Sequence, residues 1–197
     1  LKELEAELKL LLKPEQFNDY CPNGLQLEGR PVVRKIVSGV TACRQLIEAA
    51  AAENADLLLV HHGYFWRSEP PCITGMKAAR VRALIKADIN LFAYHLPLDC
   101  HPLHGNNAAL GRLMGIEAPE ALDLEDQCTP IFRGRLEASV TVQGLADRLS
   151  VALDRSPLVI GEGVVKSVAW CTGAGQGYID LAADAGADVY VTGEVSE

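Results

Sequence analysis

The stretch that decides the fold is Ala55-Asp56-Leu57-Leu58-Leu59-Val60-His61-His62-Gly63, in which an apolar run ends in two histidines and a glycine. The run shows no alternation of polar and apolar residues, which is typical of a strand in a parallel sheet covered on both faces. In open α/β sheets, ligands bind just beyond the carboxyl ends of the strands. The sequence therefore predicts a buried strand over 55–60 and a functional edge that begins at His61.

The flanking sequence alternates between helical and strand patterns, which predicts an α/β layer with right-handed crossovers. The leucines from Leu1 to Leu11 recur at helical spacing and are followed by Pro14, which ends a helix. The predicted helices of this first part are 1–13, 44–53, 77–87 and 106–114, and the predicted strands are 35–40, 55–60 and 90–95.

An acidic segment with two prolines, residues 117–130, predicts a boundary between two domains. Beyond it, 132–142 has the composition of a strand and 142–153 has the spacing of a helix. We expect one α/β domain over 1–122, which contains the histidine pair, and a second α/β domain over 123–197 that is incomplete at its carboxyl end. Both sheets are expected to be largely parallel.

The second domain repeats part of the first. Residues 33–41 can be laid on 164–172, a separation of 131, and residues 55–60 can be laid on 187–192, a separation of 132. This match predicts that two strands and the helix between them are duplicated. Gly193 and Glu194 then replace the two histidines, so the second copy does not share their chemistry.

Composition limits the class of protein. The chain has 197 residues, 49% of them hydrophobic, and a formal net charge of −8, which argues against a nucleic-acid partner. No apolar run approaches the ~18–20 residues that a membrane span needs. The cysteines lack the short spacings of a zinc ribbon or a redox pair, so we expect reduced thiols in a cytoplasmic protein. They are Cys21, Cys43, Cys72, Cys100, Cys128 and Cys171.

A second strand end carries further candidate ligands, in Tyr94-His95-Leu96-Pro97-Leu98-Asp99. If this strand is parallel to the first, His95 and Asp99 emerge at the same edge of the sheet as the two histidines. Imidazole and carboxylate groups are the ligands of Zn, Mn, Fe, Co or Ni. The alternatives are histidines that satisfy loop backbone groups and an Asp99 that caps a helix or a turn.

Neighbouring residues of a strand point to opposite faces of the sheet. His61 and His62 therefore suit two ions, one per histidine with a carboxylate between them, better than they suit one ion. Paired ions ~3.5–4 Å apart are a common hydrolytic arrangement. The sequence favours a two-metal site over a purely structural role for the histidine pair.

Weaker signals are open to two interpretations each. Gly173-Ala174-Gly175-Gln176-Gly177 could cradle a phosphate at a helix N-terminus, but a tight strand-to-helix turn explains it as well. The aromatic run Tyr64-Phe65-Trp66 could stack a base, or could belong to the core or a subunit interface. Cys100 could be a soft metal ligand or an inert thiol, and His101 and His104 are expected at the surface.

Five motifs occur in one order along essentially the whole chain: Asp19-Tyr20-Cys21-Pro22-Asn23-Gly24-Leu25-Gln26, His61-His62-Gly63, His95-Leu96-Pro97-Leu98-Asp99, Gly105-Asn106-Asn107 and Thr192-Gly193-Glu194-Val195-Ser196-Glu197. Together they resemble the Nif-three-like family, whose members are called type 2 GTP cyclohydrolase I or dinuclear-metal-centre hexameric proteins. The resemblance implies two related α/β domains, a toroidal homo-hexamer and a two-metal site that faces the interior of the ring.

The same resemblance implies a set of metal ligands, His61, His62 and Asp99. The family supplies a further histidine and a glutamate from a segment that would follow Glu197. We therefore expect two divalent transition-metal ions in the complete site, and weaker, partial occupancy in the 197 residues alone.

The activity implied by the resemblance is that of a metal-dependent hydrolase acting on a nucleotide. Metal-activated water would open the imidazole ring of GTP and release formate. The alternatives are a metal-dependent phosphoesterase or damaged-nucleotide hydrolase, and a regulatory or scaffold ring whose metals are structural. No residue is assigned as the catalytic group or as the selector of the nucleotide.

His95 is not among the ligands that the resemblance implies. We predict that its imidazole hydrogen-bonds a ligand carboxylate or a metal-bound water, or faces the substrate. The alternative is a buried histidine whose ring is satisfied by the backbone.

Overall fold

The computed structural model of the chain describes residues 1–122 and 129–196. The chain divides into two units, Leu1–Leu98 and Asp99–Glu197. The predicted domain boundary after residue 122 adjoins the segment 123–128, which lies outside the described residues, as does Cys128.

The first unit is a four-stranded sheet with helices on both faces. The strand order is β1-β4-β3-β2, in which β2, β3 and β4 are parallel and β1 is antiparallel to β4. The elements, in chain order, are α1 (Lys2–Leu12), β1 (Gly24–Leu27), β2 (Ile36–Thr41), α2 (Arg44–Ala52), β3 (Leu57–His62), α3 (Gly75–Ala87) and β4 (Asn90–Ala93), followed by one helical turn, α4 (Leu96–Asp99). The parallel strands confirm the predicted α/β class.

Strand β3 lies inside this sheet and is covered on both faces. Leu58 packs with α2 and α3, whereas Leu57 packs with leucines of α1 on the other face, and neither leucine is exposed. Burying a leucine side chain stabilises a fold by roughly 1.5–3 kcal/mol. The unbroken apolar run of residues 57–60 is thus explained by helices on both sides of the strand.

The second unit is a mixed sheet of order β5-β6-β7-β8. Only β7 and β8 are parallel among its described strands, and β5, β6 and β7 form two antiparallel pairs. The elements are α5 (Asn106–Met114), β5 (Glu120–Ala121), β6 (Phe132–Thr141), α6 (Val142–Leu153), β7 (Val164–Cys171), α7 (Ile179–Asp184) and β8 (Val189–Thr192), with a 3-10 turn over Gln176–Tyr178.

Helix α5 belongs to the second unit, although it lies before the predicted domain boundary at residue 122. Met114, at its end, is fully buried in a core with Phe132 and Trp170. The Trp170 Nε1–H donates to the backbone carbonyl of Asn107 at 2.9 Å. An apolar side and a buried hydrogen bond therefore fix this helix against β6 and β7, and the first unit ends before it.

The predicted duplication is present in the structure, with one correction to its alignment. Ile36 pairs with Leu57 in the first unit, and the residues 132 positions later, Val168 and Val189, pair in the second. Helix α2 corresponds in the same way to the 3-10 turn and α7 together. A separation of 132 thus holds for both strands, and the separation of 131 taken for the first strand is wrong.

The two copies also share a polar connection at the start of their strands. Asp56 Oδ2 accepts the backbone N–H groups of Arg34 and Lys35, and Asp188 Oδ2 accepts those of Lys166 and Ser167, at 2.8–2.9 Å. These hydrogen bonds hold the pKa of each carboxyl below its ordinary value.

In the part of the chain that the structure describes, no helix has the length and apolar character to cross a bilayer.

Candidate metal centre

The candidate site lies at the carboxyl ends of the parallel strands β3 and β4. Val60 pairs with Ala93, and the backbone N–H of Tyr94 donates to the carbonyl of Val60 at 3.0 Å. His61 and His62 at the end of β3 therefore lie beside His95, which follows β4. Since the strands are parallel, these histidines share one edge of the sheet, as the sequence predicted.

Gly63 allows the chain to pass close to β4 directly after the histidine pair. A Cβ atom at this position would lie 2.6 Å from the Cβ of Ala93 and 2.2 Å from Oε1 of Gln26. The Gln26 amide oxygen instead accepts the backbone N–H of Tyr64 at 2.7 Å. A glycine is thus required where the chain turns away from the edge of the sheet.

Three imidazole rings converge at this edge. The ring centroids of His61 and His62 are 4.4 Å apart, and the ring of His95 lies 5.0 Å from His61 and 5.7 Å from His62. One ring nitrogen from each residue lies within 4.8 Å of the others, and all three residues are half-buried. We call these three residues the histidine cluster.

The alternation of side chains along β3 predicted that the two adjacent rings would diverge, yet they approach each other. Their Nδ1 atoms have partners on opposite sides of β3. Nδ1 of His61 lies 3.0 Å from the backbone oxygen of Tyr94, and Nδ1 of His62 lies 3.3 Å from Oγ1 of Thr41 on β2. A carbonyl oxygen can only accept, so the Nδ1–H of neutral His61 donates and its lone pair is on Nε2.

His95 is held by a turn that precedes β1. Its Nδ1–H donates to Oδ1 of Asp19 at 2.7 Å, and its backbone N–H donates to Oδ1 of Asn23 at 2.7 Å. The imidazole of His95 thus hydrogen-bonds a carboxylate, as predicted, but this carboxylate is Asp19 and not the predicted ligand Asp99. No local signal in the sequence joins Asp19 to His95, because 76 positions separate them.

Asp19 is a buried carboxylate whose two oxygens accept four hydrogen bonds. Besides His95, the donors are the backbone N–H of Tyr20, the side-chain amide of Asn23 and the backbone N–H of Leu96. Burial by itself raises the pKa of this carboxyl, but the hydrogen bonds from His95, Asn23 and Leu96 outweigh it and hold the pKa below its ordinary value. Asp19 is therefore an ionised acceptor at neutral pH.

The three aromatic residues after Gly63 have three different environments. Tyr64 is buried, and its hydroxyl donates to the carbonyl of Ala42, while Phe65 packs against the core of the first unit. Trp66 alone of the three stands next to the histidine cluster, with its ring 5.0 Å from that of His95 and 5.8 Å from that of His62. The core explanation holds for two residues, and a site role is open for the third.

Asp99 is the first residue of the second unit, at the end of α4. It is 6% exposed, and its Oδ1 accepts the side-chain amide of Asn106 at 2.8 Å and the hydroxyl of Thr172 at 3.4 Å. The helical cap of α5 is Gly105, so Asp99 does not cap that helix. Its role as a metal ligand stays a prediction.

The remaining candidates are explained by local structure. The glycine-rich segment after β7 is a tight turn, in which the N–H of Gly175 donates to the carbonyl of Gly173 and to Oγ1 of Thr192. His101 closes its own loop, since its Nδ1 accepts the backbone N–H groups of Leu103 and His104. Burial, with a smaller contribution from His104, lowers the pKa of His101. Cys100 is half-buried and lies in neither of the metal-compatible groups among the described residues.

A second group of possible ligands shares one residue with the histidine cluster. Asp19, Cys21 and His95 also bring one ligand atom each within 4.8 Å of one another. However, burial and the charge of Asp19 raise the pKa of the Cys21 thiol to about 12, and metals bind the thiolate. The oxygens of Asp19 are already engaged by four donors. This group fits a metal ion less well than the histidine cluster does.

The donor set of the histidine cluster fits a divalent transition metal. Imidazole suits Zn, Fe and Ni, and such ligands usually donate their other ring N–H to a carbonyl or a carboxylate. His61 makes this bond to Tyr94, and His95 makes it to Asp19. The cluster thus combines nitrogen donors with the hydrogen-bond partners that orient them.

The whole chain, residues 1–197, matches the family model described as Duf34/NIF3 (NGG1p interacting factor 3). A Vibrio cholerae protein named GTP cyclohydrolase 1 type 2 homolog is 50% identical over 199 residues, covering 99% of this chain and 79% of that protein. A Haemophilus influenzae protein of the same name is 48% identical, covering 99% of this chain and 78% of that protein.

A solved structure described as a structural-genomics protein, ybgI, of unknown function has the same fold. It superposes with a TM-score of 0.91 at 46% sequence identity, covering 100% of this chain and 78% of that one. The match of sequence and structure over the full length confirms the predicted resemblance. The chain belongs to the DUF34/NIF3 family.

Proposed function

We propose that this chain is the subunit of a metal-dependent hydrolase that acts on a nucleotide, resembling type 2 GTP cyclohydrolase I. The observation that carries the proposal is the histidine cluster at the carboxyl edge of a parallel sheet, with ring nitrogens within 4.8 Å of one another. The names of the Vibrio and Haemophilus relatives support the reaction class.

His61 and His62 would hold the metal through their ring nitrogens, and each ring is oriented by a hydrogen bond that involves its Nδ1. When bound, a divalent Zn, Mn, Fe, Co or Ni ion lowers the pKa of a coordinated water towards ~7. Asp99 completes the proposed ligand set, and two ions per subunit are proposed, both on the family resemblance. His95 would accept or donate a proton, or bind the metal, through the nitrogen that Asp19 does not occupy.

Two aromatic side chains support a nucleotide as the substrate. Trp66 flanks His62 and His95, and Tyr20, which is 60% exposed, has its ring 6.5 Å from that of His95. Stacking of a base on an aromatic side chain contributes ~1–3 kcal/mol. A planar heterocycle held beside these rings would lie next to the histidine cluster.

A toroidal homo-hexamer is proposed as the assembly. The second unit carries exposed apolar side chains, among them Val151, Leu158 and Ile160, which support a contact between subunits. Sedimentation analysis of the full-length protein tests this assembly. A hexameric mass supports it, and a monomeric mass at micromolar concentration contradicts it.

The proposed activity is tested with full-length protein that has been loaded with each candidate metal in turn. GTP, other nucleotides and simple phosphate esters are incubated with the protein, and formate and ring-opened product are measured. The control is the double variant His61→Ala/His62→Ala. Formate release from GTP that the control lacks supports the proposal.

Two other results would overturn it. Hydrolysis of phosphate esters without ring opening would replace the proposed reaction by that of a phosphoesterase. Absence of turnover of any nucleotide by protein with stoichiometric metal would point to a scaffold ring.

A further inference from the structure

We propose that Asp19 is a positioning residue that selects the ring tautomer of His95. The Nε2 atom of His95 then carries the lone pair and can bind a metal ion together with His61 and His62. The role of Asp19 toward the metal rests on the proposed function, and Asp19 lies outside the predicted ligand set. The selection of the tautomer is carried by hydrogen bonds within the first unit alone.

The hydrogen bond between Asp19 and His95 can run in only one direction. Oδ1 of Asp19 lies 2.7 Å from Nδ1 of His95, and an ionised carboxylate can only accept. The proton of neutral His95 must then reside on Nδ1. Nε2 is left as the lone-pair nitrogen that the ring can offer to a metal ion or to a proton of the substrate.

Asp19 is ionised and rigidly placed because its oxygens are saturated with donors. Its side chain is 2% exposed, and Oδ2 accepts the amide of Asn23 at 2.8 Å and the backbone N–H of Leu96 at 2.9 Å. An asparagine at this position would direct its own amide hydrogens at one of these donor pairs. The site is therefore built for a carboxylate and rejects the isosteric amide.

The same turn also fixes the backbone of His95, so that position and tautomer are set together. Oδ1 of Asn23 accepts the backbone N–H of His95 at 2.7 Å, while Asp19 holds the ring and the next backbone N–H. The ring of His95 thus has little freedom to rotate. This arrangement explains why a turn distant in sequence lies beside the strand end that carries the cluster.

The tautomer can be measured directly by long-range ¹H–¹⁵N correlation of the histidine rings in metal-free protein, at a pH where His95 is neutral. The native chain is expected to show a protonated Nδ1 and an unprotonated Nε2. In Asp19→Asn the Nε2–H form should become populated. A native His95 with its proton on Nε2 would overturn the proposal without any variant being needed.

The matched control is Asp56→Asn, because Asp56 is also a carboxylate of the first unit that accepts two backbone N–H groups, but it does not contact the histidine cluster. Its His95 signals should be those of the native chain. A change of tautomer in this control as large as that in Asp19→Asn would show that general loosening, not the carboxylate contact, sets the tautomer.

Zinc affinity, measured by competition with a chromophoric chelator, provides a second readout. Loss of a partner that orients a ligand typically weakens metal binding ~10–100-fold, and we expect this for Asp19→Asn. Asp19→Glu, which retains the carboxylate, should recover part of the affinity, and Asp56→Asn should bind as the native chain does. Native affinity in a folded Asp19→Asn would overturn the role toward the metal.

The two proposals fail separately. If the native full-length protein binds no zinc, the proposed metal function fails, while the tautomer of His95 still decides whether Asp19 sets it. If zinc binds but His95 carries its proton on Nε2, the role of Asp19 fails and the metal function stands.

Discussion

The two β-α-β copies, Ile36–His62 and Val168–Glu194, have the same strand register and an equivalent helix. They differ in which of their two strands lies inside the sheet. In the first copy the second strand, β3, lies inside the sheet with β4 beside it, and β2 is at the edge. In the second copy the first strand, β7, lies inside with β6 beside it, and β8 is the edge among the described strands.

This difference determines where a site can form. At β3, the parallel neighbour β4 brings a second carboxyl end to the same edge, and His95 follows it. At β8, the positions of the histidine pair are occupied by Gly193 and Glu194, and no second parallel strand lies on its outer side in the described part of the chain. The metal-compatible edge thus forms in the copy whose neighbouring strand, β4, is parallel. Among the described residues, it does not form in the copy whose neighbouring strand, β6, is antiparallel.

The largest expected loss of stability follows from the different burial of equivalent residues in the two copies. Trp170 is completely buried in β7, whereas its counterpart in the first copy, Ser38, is exposed on β2. We expect Trp170→Ala to lower the free energy of unfolding by about 3–5 kcal/mol, since a large cavity forms and the indole hydrogen bond is lost. Urea unfolding measures the change.

The matched variant is Ser38→Ala, which should change the free energy of unfolding by no more than about 0.5 kcal/mol. Equal losses in the two variants would contradict the assignment of β2 as an edge strand and β7 as an interior strand.

The second prediction compares the residues at the ends of the equivalent strands. His62→Ala should weaken zinc affinity by more than the ~10–100-fold that loss of an orienting partner costs, because a proposed ligand itself is removed. Glu194→Ala, at the equivalent position two residues after β8, should leave the affinity unchanged. Chelator competition measures both variants, and circular dichroism checks that each remains folded.

Asp99→Ala tests the ligand that rests on the family resemblance. We expect it to lower metal content while the circular dichroism spectrum is retained. Unaltered metal content would remove Asp99 from the ligand set, and unfolding would show that its hydrogen bonds with Asn106 and Thr172 are structural.

The smallest expected effect concerns the aspartates that the two copies share. The folded pKa of Asp56 and of Asp188 lies below the ordinary value of 3.8, chiefly because backbone N–H groups donate to each carboxylate. The stabilisation from each is therefore present above pH 3.8 and is lost as the pH falls through the folded pKa. The difference in unfolding free energy between native protein and Asp188→Asn should shrink over that range.

Among the described residues, Asp56 has an ion pair with Arg30, which Asp188 does not have. The guanidinium of Arg30 lies 2.9 Å from Asp56, so Arg30→Ala should raise the pKa of Asp56 towards its ordinary value and leave that of Asp188 unchanged. Carbon-13 titration of the carboxyl groups measures both. A parallel shift of the two pKa values would contradict the local origin of the effect.

The sequence predicted most of the helices and the longer strands, because their apolar residues recur at a regular spacing, but it did not predict the short strands β1 and β5. Helices α5 and α6 begin and end at the predicted residues, 106–114 and 142–153. The one-residue error in aligning the repeat arose in a strand, where short apolar runs match at several offsets. The pairing of Ile36 with Leu57 and of Val168 with Val189 removes the ambiguity.

The site was predicted less completely because its geometry depends on contacts between distant residues. The histidine pair and the shared edge followed from strand order, but the approach of the two rings did not, since it depends on partners in β2 and after β4. The link from Asp19 to His95 joins a turn to a strand end far along the chain. Only the folded chain brings these groups together.

Anomalous diffraction at the zinc edge, from crystals of the full-length protein grown with zinc, tests most directly whether the histidine cluster binds a metal ion. We expect an anomalous peak with ring nitrogens of His61 and His62 at about 2.0–2.1 Å, the usual Zn–N distance. Absence of a peak at the histidine cluster, or a peak bound instead by Cys21 and Asp19, would contradict the proposed metal centre.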